Sequence, residues 1–393
     1  MTRRAPVLVA ALLACAACSH NPTTSAPQQP SPDLSGRWAG DVISAQPFPA
    51  PSGAFARKIL YVSTGLAGQN IAVSGIVIVP RAKPPPGGRP IAAWAHPTTG
   101  VATGCAPSAR SDALETIPGL TQLLDDGYIV AATDYPGLGT VGPHPYLVGI
   151  SEARAVIDSV RAARHLAGAH ASSAFAVWGH SQGGHAALFV GQLAATYAPE
   201  LRLKGVAAIA PATDLARQFR DNLYAVGGRL LGSYAVWSWA HVYDARLGSV
   251  VSAADLTVVD RVAGICIQTN PQFVRVSLVL KRLSRDWLRK DIFDRKPWST
   301  FFAENTPGLQ PAGEPMYVAQ GSDDGLIGPA VTAGFAADLC RHGVVVDFIR
   351  LQGVEHHPAG MASGARVAQW LADRLQGRPA PSTCSASTAP SSP

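Results

Sequence analysis

The sequence predicts an α/β fold with a mostly parallel central sheet covered by helices on both faces. Three observations carry this expectation. Short, continuously apolar runs alternate with longer helical patterns, as in Pro90-Ile-Ala-Ala-Trp-Ala95, Tyr128-Ile-Val-Ala-Ala-Thr133 and Lys204-Gly-Val-Ala-Ala-Ile-Ala210. Strands buried on both faces read this way, whereas a half-solvated strand alternates apolar with polar residues. One such run, Ala174 to Trp178, passes through Gly179-His-Ser181-Gln-Gly183 directly into a helical pattern containing Ala186-Ala-Leu-Phe-Val190. A serine flanked by glycines where a strand turns sharply into a helix is a nucleophile elbow. The turn exposes Oγ at a helix N-terminus, where backbone N–H groups can stabilise an oxyanion. Lastly, the segment Asp214 to Gly313 breaks the alternation with a helical stretch holding Trp237, Trp239, Trp287 and Trp298.

The 393 residues suffice for one large domain with an insertion. Apolar residues make up 47% and charged residues only 15%, which suits a large core under a quiet surface. The net charge of +6 is modest, and no dense Lys/Arg run points to nucleic acid. Of the six cysteines, Cys15 and Cys18 lie in the N-terminal segment, leaving Cys105, Cys266, Cys340 and Cys384. No Cys-x-x-Cys pair occurs among those four, which argues against a zinc site or a thioredoxin-like motif. In an exported chain their even number favours two disulfides, in any of three pairings.

Residues 1–18 read as a signal peptide with a lipobox-like end. Arg3-Arg4 precedes the apolar stretch Val7 to Leu13, too short to span a bilayer. The segment Leu12-Leu-Ala-Cys15-Ala-Ala-Cys18 resembles a bacterial lipobox, with Cys18 the expected lipidation site and Cys15 the alternative. An N-terminal lipid anchor would hold such a protein at a membrane. Residues 19–34, rich in Pro, Ser, Thr and Gln, read as a disordered tether. Residues 35–377 form the expected α/β domain, and 378–393 a C-terminal tail. Further strands are expected at Lys58–Ser63, Ile71–Pro80, Pro315–Gln320 and Val344–Arg350. Helices are expected at Asp112–Asp126 (interrupted at Pro118-Gly119), Ser151–Leu166 with Ser151 as N-cap, Gly328–Arg341 and Ser363–Leu375. The insertion 214–313, lying between two strands near the elbow, reads as a cap over the site. Within it Val279, Leu280, Leu283, Trp287 and Leu288 share one face at helical spacing, ringed by Lys281, Arg282, Arg285, Arg289 and Lys290. That face is expected to pack inward; contact with a membrane surface is the alternative.

A serine hydroxyl is a poor nucleophile at neutral pH and needs a base oriented by a carboxylate. In strand-to-helix elbows of this type the partners follow in the order acid, then histidine, on loops after later strands. Gln320-Gly-Ser-Asp323-Asp324-Gly supplies the acid: Asp324 is the first choice, with Asp323 expected to cap the next helix. Gly353-Val-Glu-His356-His357-Pro358 supplies the base, His356 before His357. His180 and His185, on the nucleophile's own turn, read as structural or pocket-lining. The oxyanion hole needs two N–H donors: Gln182, next after the nucleophile, and a residue of His96-Pro-Thr98-Thr99-Gly100. Pro97 has no N–H, so Thr98 or Thr99 supplies it, Thr98 being preferred.

Taken together, several segments resemble the secretory lipase family of α/β-hydrolases. They are His96-Pro-Thr-Thr-Gly100 with Cys105-Ala-Pro-Ser108, Thr133-Asp-Tyr-Pro-Gly-Leu-Gly139 with His144-Pro-Tyr146, and Gly179-His-Ser-Gln-Gly-Gly184. Gly321-Ser-Asp-Asp324 and Gly353-Val-Glu-His356 fit the family's acid and base loops. The resemblance spans most of Ser35 to Gln376. It implies an α/β-hydrolase fold with a helical cap, and ester hydrolysis by Ser181, Asp324 and His356 with neither metal nor cofactor. By similarity it also implies disulfides Cys105–Cys266 and Cys340–Cys384. The expected function is a serine carboxylic-ester hydrolase of lipase or carboxylesterase type, acting outside the cytoplasm on lipid or other carboxylic esters through an acyl-enzyme. Acyl transfer or amide cleavage by the same residues, and lipid binding without catalysis, are the rival expectations.

Overall fold

A computed structural model describes residues 32–308 and 313–384. The expected signal peptide, Cys15 and Cys18, nearly all of the tether, and the tail beyond Cys384 lie outside the described residues. Among the described residues, nine strands form one sheet: β1 (Val42–Phe48), β2 (Ala54–Thr64), β3 (Asn70–Pro80), β4 (Arg89–Ala95), β5 (Ile129–Thr133), β6 (Ala171–His180), β7 (Arg202–Ile209), β8 (Met316–Gly321) and β9 (Val346–Leu351). Their spatial order is β1-β2-β3-β5-β4-β6-β7-β8-β9. The β1, β2 and β3 pairings are antiparallel, while every pairing from β5 through β9 is parallel. The mostly parallel sheet expected from the apolar runs is therefore present. β1 was not expected: its residues are mainly exposed or half-buried, so burial leaves no apolar signature on it.

Helices cover both faces. Those outside the insertion are α1 (Leu120–Asp125), α2 (Gly149–His165) and α3 (Gln182–Tyr197), then α9 (Pro329–Arg341), α10 (Ala359–Ala362) and α11 (Gly364–Leu375). The insertion between β7 and β8 supplies α4 (Leu215–Asn222), α5 (Val226–Val242), α6 (Leu256–Ala263), α7 (Asn270–Leu280) and α8 (Trp298–Glu304). The strand period of two divides the buried residues cleanly. Ile91, Ala93, Phe175, Val177, Val206 and Val318 face α2, α3 and α9. Their neighbours Ala92, Trp94, Ala176, Trp178, Ala207 and Tyr317 face α1 and α11.

Two helical expectations need correction. Ser151 does not cap α2, which begins two residues earlier behind Val148. Glu152, in the first turn, instead reaches back to accept the Leu147 N–H at 3.0 Å, so the helix start is closed from inside. The apolar residues from Val279 to Leu288 do not share one helix either, because α7 ends at Leu280. Leu280, Leu283, Trp287 and Leu288 nevertheless all enter the insertion's own core, with Trp239 and Trp298. On α7 the large apolar residues facing solvent are Phe273, Val274 and Leu278.

The structure contains the disulfides Cys105–Cys266 and Cys340–Cys384, with Cα–Cα separations of 5.2 and 5.5 Å. The first joins the loop after β4 to the insertion. The second joins the end of α9 to the tail, whose Thr383 N–H donates to Val346 O on β9 at 2.8 Å. Cys105 and Cys266 lie 161 residues apart, and closing so long a loop removes much entropy from the unfolded chain. Reduction is expected to lower unfolding free energy by about 2–5 kcal/mol. Denaturant unfolding with and without a phosphine reductant checks this; an unchanged midpoint would show that neither bridge constrains the chain.

Candidate active site

The sheet order turns around at β4, so the loops after β4 and β6 leave the sheet as neighbours and diverge. Ala95 at the end of β4 pairs with Gly179 on β6. Ser181 then adopts φ 57°, ψ −117°, a conformation an L-residue holds only when its surroundings enforce it. The enforcing contacts explain the glycines. A Cβ on Gly179 would fall 2.1 Å from Gly183 O, and one on Gly183 would fall 1.9 Å from Ala95 O. With those side chains absent, the start of α3 sits directly on the end of β4. Gln182 is the first residue of α3, so its N–H belongs to the turn that has no intrahelical acceptor.

Three strands bring three side chains together. His356, on the loop after β9, places Nε2 2.9 Å from Ser181 Oγ. Its Nδ1 lies 2.8 Å from Asp324 Oδ2, on the loop after β8. A carboxylate only accepts, so Nδ1 carries the proton and Nε2 is free to accept from the serine. Asp324 Oδ2 also accepts from Gln320 Nε2 at 2.8 Å, and Oδ1 accepts from the N–H groups of Leu326 and Ile327 at 2.9 and 2.7 Å. Burial alone would raise this carboxyl, but the His356 bond and charge, with the two backbone N–H groups, outweigh it and hold it below the usual range. Asp323 does not cap the following helix. It is exposed, accepts from Ser322 Oγ, and leaves the N-cap of α9 to Gly328. His357 is exposed as well.

Three buried histidines beside the site hold its frame. His180 Nε2 donates to His356 O at 3.0 Å, fixing the base's backbone. His144 Nδ1 donates to Pro136 O at 2.8 Å, so its Nε2 accepts from Gln182 Nε2 at 3.1 Å. His185 faces Glu152 Oε2 at 2.8 Å through Nδ1 and Asn305 O at 2.7 Å through Nε2. Glu152 is fully buried and also accepts from Gln182 Nε2 at 2.8 Å. The sequence does not single out Glu152, and it marks His144 only within the His144-Pro-Tyr146 motif and assigns it no role. The available signal was a charge on α2 four residues before Val156, on the buried stripe.

In the β4 loop, Thr98 Oγ1 lies 2.9 Å from the Tyr146 hydroxyl. Thr99 is turned to the insertion, its carbonyl accepting from Ile267 N–H at 2.9 Å. Asp134 accepts from Ser74 Oγ at 2.6 Å and from Ser108 N–H at 2.9 Å, so the Thr133–Gly139 motif ties the loop after β4 to β3. Above Ser181 the insertion leaves a cavity of about 30 Å³, lined by Tyr146, Leu147, Gln182, Leu215, Gln218, Phe219 and Leu326 among others. The arrangement can deprotonate Ser181 and present N–H donors to an oxyanion.

Burial holds two of the frame histidines neutral. It pushes His144 down to about 4, and burial together with the charge of His356 pushes His180 down to about 3. Both folded values lie below the unfolded value of about 6.5. Their contribution to stability is therefore complete above pH ~6.5 and is lost as pH falls through the folded values. Replacing one of them, as in His180→Asn, is expected to flatten the fall in unfolding free energy between pH ~6.5 and ~4 by about 1.4 kcal/mol per pH unit. Urea unfolding across that range reads it; parallel curves for parent and variant would contradict it.

The pattern of the family described as Secretory lipase matches residues 115–383. A probable inactive lipase of Mycobacterium tuberculosis is 25% identical over 349 residues, covering 84% of this chain and 75% of the relative. The X-ray structure of Candida antarctica lipase A superposes with a TM-score of 0.71 at 18% identity, over 88% of this chain and 84% of that one. A rice cell wall degrading esterase from Xanthomonas oryzae gives 0.71 at 22% identity, over 86% and 99%. These two structures share the α/β-hydrolase fold.

Proposed function

Since the chain belongs to the secretory lipase family, we propose that it is a serine carboxylic-ester hydrolase working outside the cytoplasm through an acyl-enzyme. The observation that carries this reading is the unbroken relay from Ser181 Oγ through His356 to Asp324, with bonds of 2.9 and 2.8 Å. His356 takes the serine proton as Oγ attacks the ester carbonyl, and Asp324 stabilises the imidazolium that forms. The oxyanion is held by the N–H groups of Gln182 and Thr98. His356 returns the proton to the departing alcohol, then activates a water that releases the acid. Two disulfides suit an oxidising compartment. Lipidation at Cys18 would keep the enzyme on the cell envelope, with an ester-bearing lipid as its natural neighbour. Palmitate labelling of the full chain, lost in Cys18→Ala, tests the anchor; labelling that persists in Cys18→Ala but disappears in Cys15→Ala would move it.

Esters are expected to reach Ser181 through the cavity bounded by α4, the start of α5 and the loop bearing Leu326. Hydrolysis of p-nitrophenyl esters from short to long chains tests the reaction. Ser181→Ala is expected to lose about a thousand-fold or more in kcat/KM. Equal activity in parent and variant would reject the assignment. One relative's name, probable inactive lipase, favours a second reading in which the fold binds lipid without catalysis. Fluorophosphonate labelling separates the two, since only an activated serine reacts.

A further inference from the structure

The cavity over Ser181 holds buried polar groups that no protein atom satisfies. Gln218, on α4, lines it and is 5% exposed. Its Nε2 is buried without a hydrogen-bond partner. Gln182 lines the same cavity, and its side-chain orientation is fixed because Nε2 donates to Glu152 and to His144. That turns Oε1 away from Glu152, and Oε1 too is buried without a partner. The groups around them, Leu215, Phe219, Leu231 and Ile327, are apolar. Buried donors and acceptors are normally paired, and an exception calls for an explanation. A packing role does not supply one. An apolar side chain would fill the place of Gln218 without burying an unpaired amide.

One small group satisfies a donor and an acceptor at once: a hydroxyl. We propose that Gln218 Nε2 and Gln182 Oε1 recognise a hydroxyl carried by the substrate beside its scissile ester. The preferred substrates are then hydroxylated carboxylic esters and not plain alkyl esters. The hydroxyl accepts from Gln218 and donates to Gln182, whose backbone N–H serves the adjacent oxyanion. This rests on the ester-hydrolase reading of Ser181. It adds a specificity role for α4, the helix that forms one wall of the cavity. A site built to hydrogen-bond a hydroxyl rejects the analogue lacking it, because its own polar groups are left unpaired.

The test compares ethyl butyrate, 2-hydroxyethyl butyrate and ethyl 3-hydroxybutyrate, with kcat/KM read by titration of released acid. Parent, Gln218→Met and Gln218→Leu are measured side by side, with melting temperatures. The parent is expected to prefer at least one hydroxylated ester over ethyl butyrate. Preference for the first places the hydroxyl in the alcohol part; preference for the second places it in the acyl part. Both substitutions are expected to cut that preference about ten-fold. Melting temperatures should stay level or rise, since Gln218 Nε2 makes no bond to lose. A parent without preference, a preference surviving both substitutions, or a lower melting temperature in both variants would overturn the proposal. A parent that hydrolyses p-nitrophenyl esters but none of the three would overturn this proposal alone, and one that hydrolyses neither would overturn the ester-hydrolase reading and this proposal with it.

Discussion

The chemistry of this chain depends on how closely two backbones meet beneath Ser181. The would-be Cβ of Gly183 lies 1.9 Å from Ala95 O, a distance no side chain tolerates. Because that contact is backbone against backbone, the first turn of α3 is pressed onto the end of β4. The loop leaving β4 and the start of α3 therefore run against each other beside Ser181. The strained φ of 57° at Ser181 is sustained by the same contact, since relaxing it would lift α3 from the sheet. Two glycines thus fix the position of Ser181 before any neighbouring side chain is considered.

A second constraint is the buried carboxylate of Glu152. It accepts from Leu147 N–H, Gln182 Nε2 and His185 Nδ1, binding α2, the preceding turn and α3 at one point. His185 extends the network to Asn305 O, just past α8, and Asn305 Oδ1 accepts from Gly149 N–H at 3.2 Å. A carboxylate buried this deeply is tolerable only when fully hydrogen-bonded, so the network is an all-or-none unit. The insertion is thereby fastened to the core beside α3. The Cys105–Cys266 bridge fastens it again beside the Thr98 loop. Between these anchors, α4 and the α5 turn meet the acid loop through single contacts such as Asn222 Nδ2 to Leu326 O at 2.9 Å.

The sheet and the glycine-flanked turn at Ser181 were legible because their signals are local. Buried parallel strands leave apolar runs, and an elbow leaves a serine between obligatory glycines. The helices α2, α9 and α11 likewise announce themselves by periodicity, although the start of α2 was displaced because Glu152 closes it in place of Ser151. What was not legible depends on distance in sequence. Glu152 and His144 acquire their partners only when α2, the β5 loop and α3 meet. β1 carries few buried residues to mark it. From Val279 to Leu288 the spacing imitates a helix, yet the chain turns after Leu280 and buries the later residues by another route. The adjacent Asp323 and Asp324 could not be separated by composition; the structure separates them by direction, one exposed and one facing His356.

The most direct test of the central claim is to trap the covalent intermediate. A p-nitrophenyl ester is mixed with excess enzyme, quenched in acid within the first turnover, and the digest weighed by mass spectrometry. The account predicts a stoichiometric burst of nitrophenol and a single acyl adduct on the peptide bearing Ser181. A burst with the acyl group on another residue, or hydrolysis with no adduct at all, would contradict it.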